Sequence, residues 1–213
     1  MTGTSPASQL LDTARAMNDA GLSVGTAGNL SLRDAEGFLI TPTGLPFDHC
    51  KPADMVAMGM DGKTRGKRAP SSEWRIHRDI YRARPDAGAI VHAHSPFATA
   101  IACHQRGIPP FHYMIARFGG ATIRCAQYAT FGTQALSEHA LEALEGRSAC
   151  LLANHGMVVF GHDCANALAL AIEFEMLCRH YLESMRLGPP QLLGDAEMAA
   201  VLARFSSYGQ SAD

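Results

Sequence analysis

Basic charge is in short supply, with 18 Lys+Arg against 20 Asp+Glu in 213 residues and a formal net charge of −2. No basic stripe is available for phosphate backbones or anionic lipid, so neither a nucleic acid nor a membrane is an expected partner. Long apolar runs are also missing. None approaches the roughly 18 to 20 residues of a membrane span, and the opening MTGTSPASQ has no basic segment leading into an apolar one. The expectation is a soluble, unexported, cytoplasmic protein. The six cysteines (Cys50, Cys103, Cys125, Cys150, Cys164, Cys178) include no C-x-x-C pair, and a chain of this size folds without disulfide staples. Lysine is scarce: Lys51, Lys63 and Lys67 all lie in polar or turn-rich surroundings, unlike the desolvated pocket that a Schiff-base lysine needs. What the chain has in excess is histidine, ten of them beside one tryptophan, and neutral imidazole is the commonest side-chain metal ligand.

The length fits one domain over residues 1–213, and no linker, internal repeat or low-complexity stretch divides it. Ser5-Pro6 opens a helical pattern whose face is Leu10, Leu11, Ala14 and Met17, ending at Gly21. Strand-like runs follow at 29–32, 37–41 and 55–58, with gaps too short for parallel crossovers. Ser71-Ser72-Glu73 caps a helix carrying Trp74, His77, Ile80 and Tyr81. A buried strand is expected at 89–94, then a helix from Ser95-Pro96 to about Gly107. Pro109-Pro110, Gly119-Gly120 and Gly132 break up the middle, around a short run at 121–125. Helices from Thr133 and Asp163, strands at 149–153 and 157–160, and a last helix from Asp195 complete the pattern. Strands alternating with helices, several too closely spaced for crossovers, predict a mixed or mostly antiparallel sheet covered by helices.

His92 and His94, two apart in an apolar strand, project from the same face and can share a metal. Ten histidines in this length produce roughly half an H-x-H pair by chance, but this pair closes a strand of Gly, Ala, Ile and Val, where an imidazole needs a partner. His155 in Asn154-His155-Gly156 also follows an apolar strand, and Gly156 permits a close turn toward the same sheet end. Three histidines with an open position describe a catalytic rather than a structural zinc site. Ser71-Ser72-Glu73 at a helix start, together with the small polar segments 26–29 and 41–44, suits an anion such as phosphate. His77, on the apolar side of its helix, reads as a hydrogen-bonded packing residue rather than a ligand.

Gly28-Asn29-Leu30-Ser31, Leu39-Ile40-Thr41-Pro42-Thr43-Gly44, Ser71-Ser72-Glu73, His92-Ala93-His94, His112-Tyr113-Met114-Ile115, Tyr128-Ala129-Thr130-Phe131-Gly132-Thr133 and Asn154-His155-Gly156 occur in this order, with Phe205-Ser206-Ser207-Tyr208-Gly209 near the end. Through these segments the whole chain resembles the zinc-dependent class II aldolases of the aldolase/adducin family, those acting on L-fuculose 1-phosphate in particular. The resemblance implies a single three-layer α/β/α domain with a mostly antiparallel central sheet, its tail mobile from about residue 205. It further implies a homotetramer with active sites between subunits.

Within each site the resemblance places one Zn²⁺ on His92, His94 and His155, with Glu73 as a further ligand that swings away to act as a base. Asn29, Thr43, Gly44, Ser71 and Ser72 match phosphate-binding positions, with Thr26 and Gly28 beside them. Tyr113, from the adjacent subunit, matches the general acid, and Phe131, Phe205 and Tyr208 match an aldehyde pocket. The implied reaction splits a ketose 1-phosphate (L-fuculose 1-phosphate or a 5-deoxy or methylthio pentulose 1-phosphate) into dihydroxyacetone phosphate and a small aldehyde. Epimerases, decarboxylases and a dehydratase share the superfamily, as does the non-catalytic adducin head, which needs no metal ligands.

Overall fold

A computed structural model describes residues 5–206. Among them eight strands form one sheet in the order β4-β3-β2-β1-β5-β8-β7-β6. These are β1 (Asn29–Asp34), β2 (Gly37–Ile40), β3 (Val56–Gly59), β4 (Thr64–Arg65), β5 (Ala89–Ala93), β6 (Cys125–Ala126), β7 (Ala149–Leu152) and β8 (Gly156–Gly161). Every neighbouring pair is antiparallel except β6 with β7. The two-residue link between β1 and β2 admits only antiparallel pairing, and β7 and β8 turn through a tight corner at 153–155.

The helices are α1 (Pro6–Asp19), α2 (Trp74–Ala83), α3 (Pro96–Ala102), α4 (Gln134–Ala143), α5 (Cys164–Met185) and α6 (Asp195–Ser206). Ser5 caps α1 by accepting the Ser8 N–H, with Pro6 in the first turn, and Asp163 caps α5 by accepting from Asn166. Strand alternation sorts the core into two layers. Leu30, Val91, Leu151, Met157 and Val159 face α1, α3 and α5, while Phe38, Ile90, Cys150, Val158 and Phe160 face α2 and α4. With helices on both faces, β5 and β8 are buried along their whole length. The result is a three-layer α/β/α arrangement with a mostly antiparallel sheet. None of these helices is long and apolar enough to cross a membrane.

Two expectations are corrected. Helix α3 stops at Ala102, short of Gly107, because the Ala102 and Cys103 carbonyls accept from the Asn154 backbone N–H (3.0 Å) and side-chain amide (3.4 Å), turning the chain toward the corner that carries His155. Gln105 then takes φ 53°, its side chain donating to Asn154 Oδ1 at 2.7 Å. The run at 121–125 contributes only Cys125 and Ala126 to the sheet, Ile123 being occupied in a bridge to Ile108.

Candidate metal centre and adjoining cavity

Four side chains converge at one end of the central strands. His92 lies on β5 facing α2, fully buried, and His94 is the first residue after Ala93, the last of that strand. His155 sits in the β7–β8 corner, which requires Asn154 in the left-handed region at φ 53°. Gly156 is obligatory there, since a Cβ would lie 2.4 Å from the Ala93 carbonyl oxygen and 3.0 Å from His94 Cδ2. Glu73 stands at the N-cap of α2, but its carboxylate makes no capping bond. It turns instead to the histidines.

The ligand atoms of Glu73, His92, His94 and His155 all lie within 4.8 Å of one another. His92 Nε2 is 3.1 Å from His94 Nε2 and 3.1 Å from Glu73 Oε2, and His155 Nε2 is 3.3 Å from Glu73 Oε1. Tetrahedral ligands about 2.0–2.1 Å from zinc are separated by about 3.3 Å, and the three spacings of 3.1–3.3 Å match that edge. His92 Nδ1 donates to the Met157 carbonyl at 2.9 Å, which leaves the Nε2 lone pair facing the cluster. Glu73 Oε1 is buried and accepts no hydrogen bond among the described residues, an orphan that a cation would satisfy. The donor set, three imidazoles and one carboxylate, suits zinc and also admits other divalent ions.

Electrostatics agree with that reading. Burial would raise the Glu73 carboxyl, but His92, His155 and the Asn29 amide hold it well below the usual carboxylate range. Burial also opposes protonation of His92, and the Glu73 carboxylate overrides it, so that imidazole is pushed up. His94 and His155 are pushed down to about 4, first by desolvation and then by His92, which keeps them neutral and able to ligate.

A cavity of about 380 Å³ opens beside the cluster. It brings together Thr26, Gly28, Asn29, Thr43, Gly44, Ser71 and Ser72, all singled out from the sequence, with Glu73, His94 and His155. Gly28, at φ +76°, lets its backbone pass where a Cβ would meet Ser23 Oγ at 2.5 Å and the His92 carbonyl at 2.7 Å. Register fixes Asn29 at the site: it pairs with His92 across β1–β5, and its Nδ2 donates to Glu73 Oε2 at 3.0 Å. No lysine or arginine lines the cavity, so hydroxyls, amides and backbone N–H groups are what it offers an anion. Phe131 and Tyr128, 65% and 60% exposed, form its aromatic side.

Tyr113 and Phe205 are not brought to this cavity within one chain. They line a second one of about 340 Å³ with Met114, Arg117, Val201 and Arg204, where a 3-10 segment from Tyr113 to Phe118 meets α6. His112 caps that segment by accepting the Met114 N–H and stacks on Tyr113 at 4.9 Å. Tyr113 is 50% exposed. Tyr208 lies outside the described residues.

Reading the sequence missed how His77 is used. It is indeed hydrogen-bonded, but its partners lead to the site: Nε2 meets Asn29 Oδ1 at 2.5 Å, and Nδ1 meets Ser31 Oγ at 2.7 Å, which in turn meets the Tyr81 hydroxyl at 2.7 Å. The available signal was a double spacing, with Glu73, His77 and Tyr81 four apart on a helix and Asn29 and Ser31 two apart on a strand.

The chain matches the family model described as Class II Aldolase and Adducin N-terminal domain over residues 8–182. It is 51% identical over 203 residues to a 5-methylthioribulose-1-phosphate/5-deoxyribulose-1-phosphate aldolase of Rhodospirillum rubrum, covering 95% of this chain and 92% of that one. It is 46% identical over 204 residues to the L-fuculose phosphate aldolase of Escherichia coli, covering 95% of each. A solved L-fuculose 1-phosphate aldolase superposes with a TM-score of 0.91 at 38% identity, covering 97% of this chain and 98% of that one. The particular likeness to fuculose phosphate aldolases is therefore shared with aldolases of pentulose phosphates. By its motifs, its fold and these matches, the chain belongs to the class II aldolase and adducin family.

Proposed function

We propose that this protein is a zinc-dependent aldolase that reversibly cleaves a ketose 1-phosphate between C3 and C4, giving dihydroxyacetone phosphate and a small aldehyde. The observation that carries the reading is the convergence of Glu73, His92, His94 and His155 at the wall of a cavity otherwise lined by small polar residues. An interaction module has no use for three imidazoles gathered on a buried carboxylate that keeps an orphan oxygen. Held by those residues, a divalent cation supplies Lewis-acid stabilisation of the negative charge that builds on the dihydroxyacetone phosphate half as the carbon–carbon bond breaks.

The chain's own groups do the rest. Ser71, Ser72, Asn29, Thr43 and Gly44 hold the phosphate, so that binding energy from the constant half of the substrate positions the reacting carbon. Glu73 Oε1, which has no competing donor, takes the carbon-bound proton in the condensation direction. Tyr113, supplied to this cavity by a neighbouring subunit of a homotetramer, protonates the new alkoxide; its exposure and its absence from the lining of this chain's cavity support that assignment.

Cleavage at C3–C4 makes the aldehyde the variable product: lactaldehyde from a 6-deoxyhexulose phosphate, acetaldehyde or methylthioacetaldehyde from the pentulose phosphates. Tyr128 and Phe131 are apolar neighbours for the methyl or methylthio end of such an aldehyde. The purified zinc-loaded protein should condense dihydroxyacetone phosphate with at least one of these three aldehydes and release it from the matching ketose 1-phosphate. Turnover confined to epimerisation, or to loss of carbon dioxide or water, would overturn the proposal.

A further inference from the structure

The buried polar chain behind the candidate metal centre has a fixed direction. Asn29 Nδ2 donates to Glu73 Oε2 at 3.0 Å, so Asn29 Oδ1 must accept, and the group facing it at 2.5 Å is His77 Nε2. His77 must therefore carry its proton on Nε2, leaving Nδ1 to accept from Ser31 Oγ at 2.7 Å. Having given its one proton to His77, Ser31 accepts from the Tyr81 hydroxyl at 2.7 Å. Ser31 and His77 are 0% exposed, Tyr81 2% and Asn29 4%. Water does not replace a missing partner in such a place. Two regular elements set the geometry: Glu73, His77 and Tyr81 follow the helical repeat along α2 from its N-cap, and Asn29 and Ser31 share one face of β1.

A primary amide can rotate by 180° with almost no change in shape. Here that rotation would turn the Asn29 carbonyl oxygen onto the Glu73 carboxylate, two acceptors face to face. The observed orientation is held from both sides, by the Glu73 carboxylate on Nδ2 and by the N–H of His77 on Oδ1.

We propose that His77 is a positioning residue for the reaction: held as the Nε2–H tautomer by Ser31 and Tyr81, it locks the Asn29 amide so that its N–H holds Glu73 Oε2 and leaves Oε1 free to work. The inference rests on the proposed role of Glu73 as base. His77 touches neither substrate nor cation in this arrangement, and its influence passes through Asn29. Losing residues that orient ligands from behind typically costs about 10–100-fold in activity or metal affinity.

Three replacements at position 77 separate positioning from packing. Gln can put an N–H where Nε2 stands, Asn reaches only the Ser31 side, and Phe fills the volume with no hydrogen bond. In the zinc-loaded protein, His77→Phe and His77→Asn should each lower kcat about 10–100-fold, while His77→Gln recovers most of the loss. In an Asn29→Ala background, His77→Phe should lower kcat no further, because the residue through which it acts is gone.

Two readouts do not depend on turnover. Nitrogen-15 NMR of histidine-labelled wild-type protein at neutral pH should find His77 neutral with its proton on Nε2. The Phe variant should bind zinc more weakly than the Gln variant in a chelator competition. Equal kcat for the Gln, Asn and Phe variants, or an Nδ1–H tautomer, would overturn the proposal. If the wild-type protein catalyses no aldol reaction, the proposed function falls, and the tautomer together with the zinc competition then decides this inference alone.

Discussion

The two faces of the sheet are built from the same strands to different ends. Along β1, Leu30 and Leu32 turn to the α1/α3/α5 layer, while Asn29 and Ser31 turn to α2; along β5, Val91 and Ala93 go one way, Ile90 and His92 the other. The α1/α3/α5 face is apolar along β5, β7 and β8. The α2/α4 face is apolar only toward β2, β3 and the outer strands, and at the β1/β5 centre it gives way to a hydrogen-bonded chain that ends on Glu73. The strands of the first face contribute apolar packing. The other uses part of its buried area for groups that must each be satisfied, the usual location of a site that orients chemistry.

The sharpest way to break this contrast is a pair of substitutions, one on each face. Glu73→Gln keeps the shape and an acceptor for Asn29 but removes the base, and should lower aldol turnover by about 10²–10⁴-fold while phosphate binding and the thermal midpoint of the metal-free protein change little. On the opposite face, Phe174 is fully buried and meets Phe118 edge-on at 5.2 Å. Phe174→Ala should cost about 3–5 kcal/mol in urea unfolding, yet leave zinc stoichiometry of the folded fraction intact. If the Glu73 variant unfolds readily, or the Phe174 variant keeps its stability, the division between faces is wrong.

A smaller effect sharpens the comparison within the α2/α4 layer, where polarity also serves packing. Asp79 accepts from Arg78 (2.6 Å), Gln134 (2.8 Å) and Ser137 (2.8 Å), tying α2 to α4 away from the cavity. Burial would raise its pKa, but these hydrogen bonds hold it below the ordinary value. The folded-state pKa is depressed, so the stabilisation is fully present above the unfolded value of about 3.9 and is lost as pH falls through the folded one. Asp79→Ala should cost about 1–3 kcal/mol at neutral pH, since donors are left buried, and should flatten the acid limb of the stability profile without altering kcat.

Much of the site could be read from residue order alone. His92 and His94 at strand spacing and His155 before a glycine declare themselves because ligand chemistry demands specific side chains in specific settings, whereas Glu73 as their partner came only from the family resemblance. The small polar segments at 26–29, 41–44 and 71–72 were legible too, and they line one cavity. What could not be read is what depends on distant pairing. That Asn29 stands beside His92 follows from the β1–β5 register, between strands about 60 residues apart with β2, β3, β4 and α2 between them. His77 looked like packing because a helical face alone does not reveal whether leucines or serines lie opposite. Helix α3 was drawn too long because its end is set by Asn154, about 50 residues later, accepting no part of the local pattern.

The central claim, that Glu73, His92, His94 and His155 form one metal centre, is tested most directly by equilibrium zinc binding to the purified chain and to its His92→Ala, His94→Ala and His155→Ala variants. The account predicts one ion per wild-type chain and a large loss of affinity in each variant. Wild-type protein that takes up no stoichiometric divalent ion, or a folded variant that binds zinc as tightly as the wild type, would contradict it.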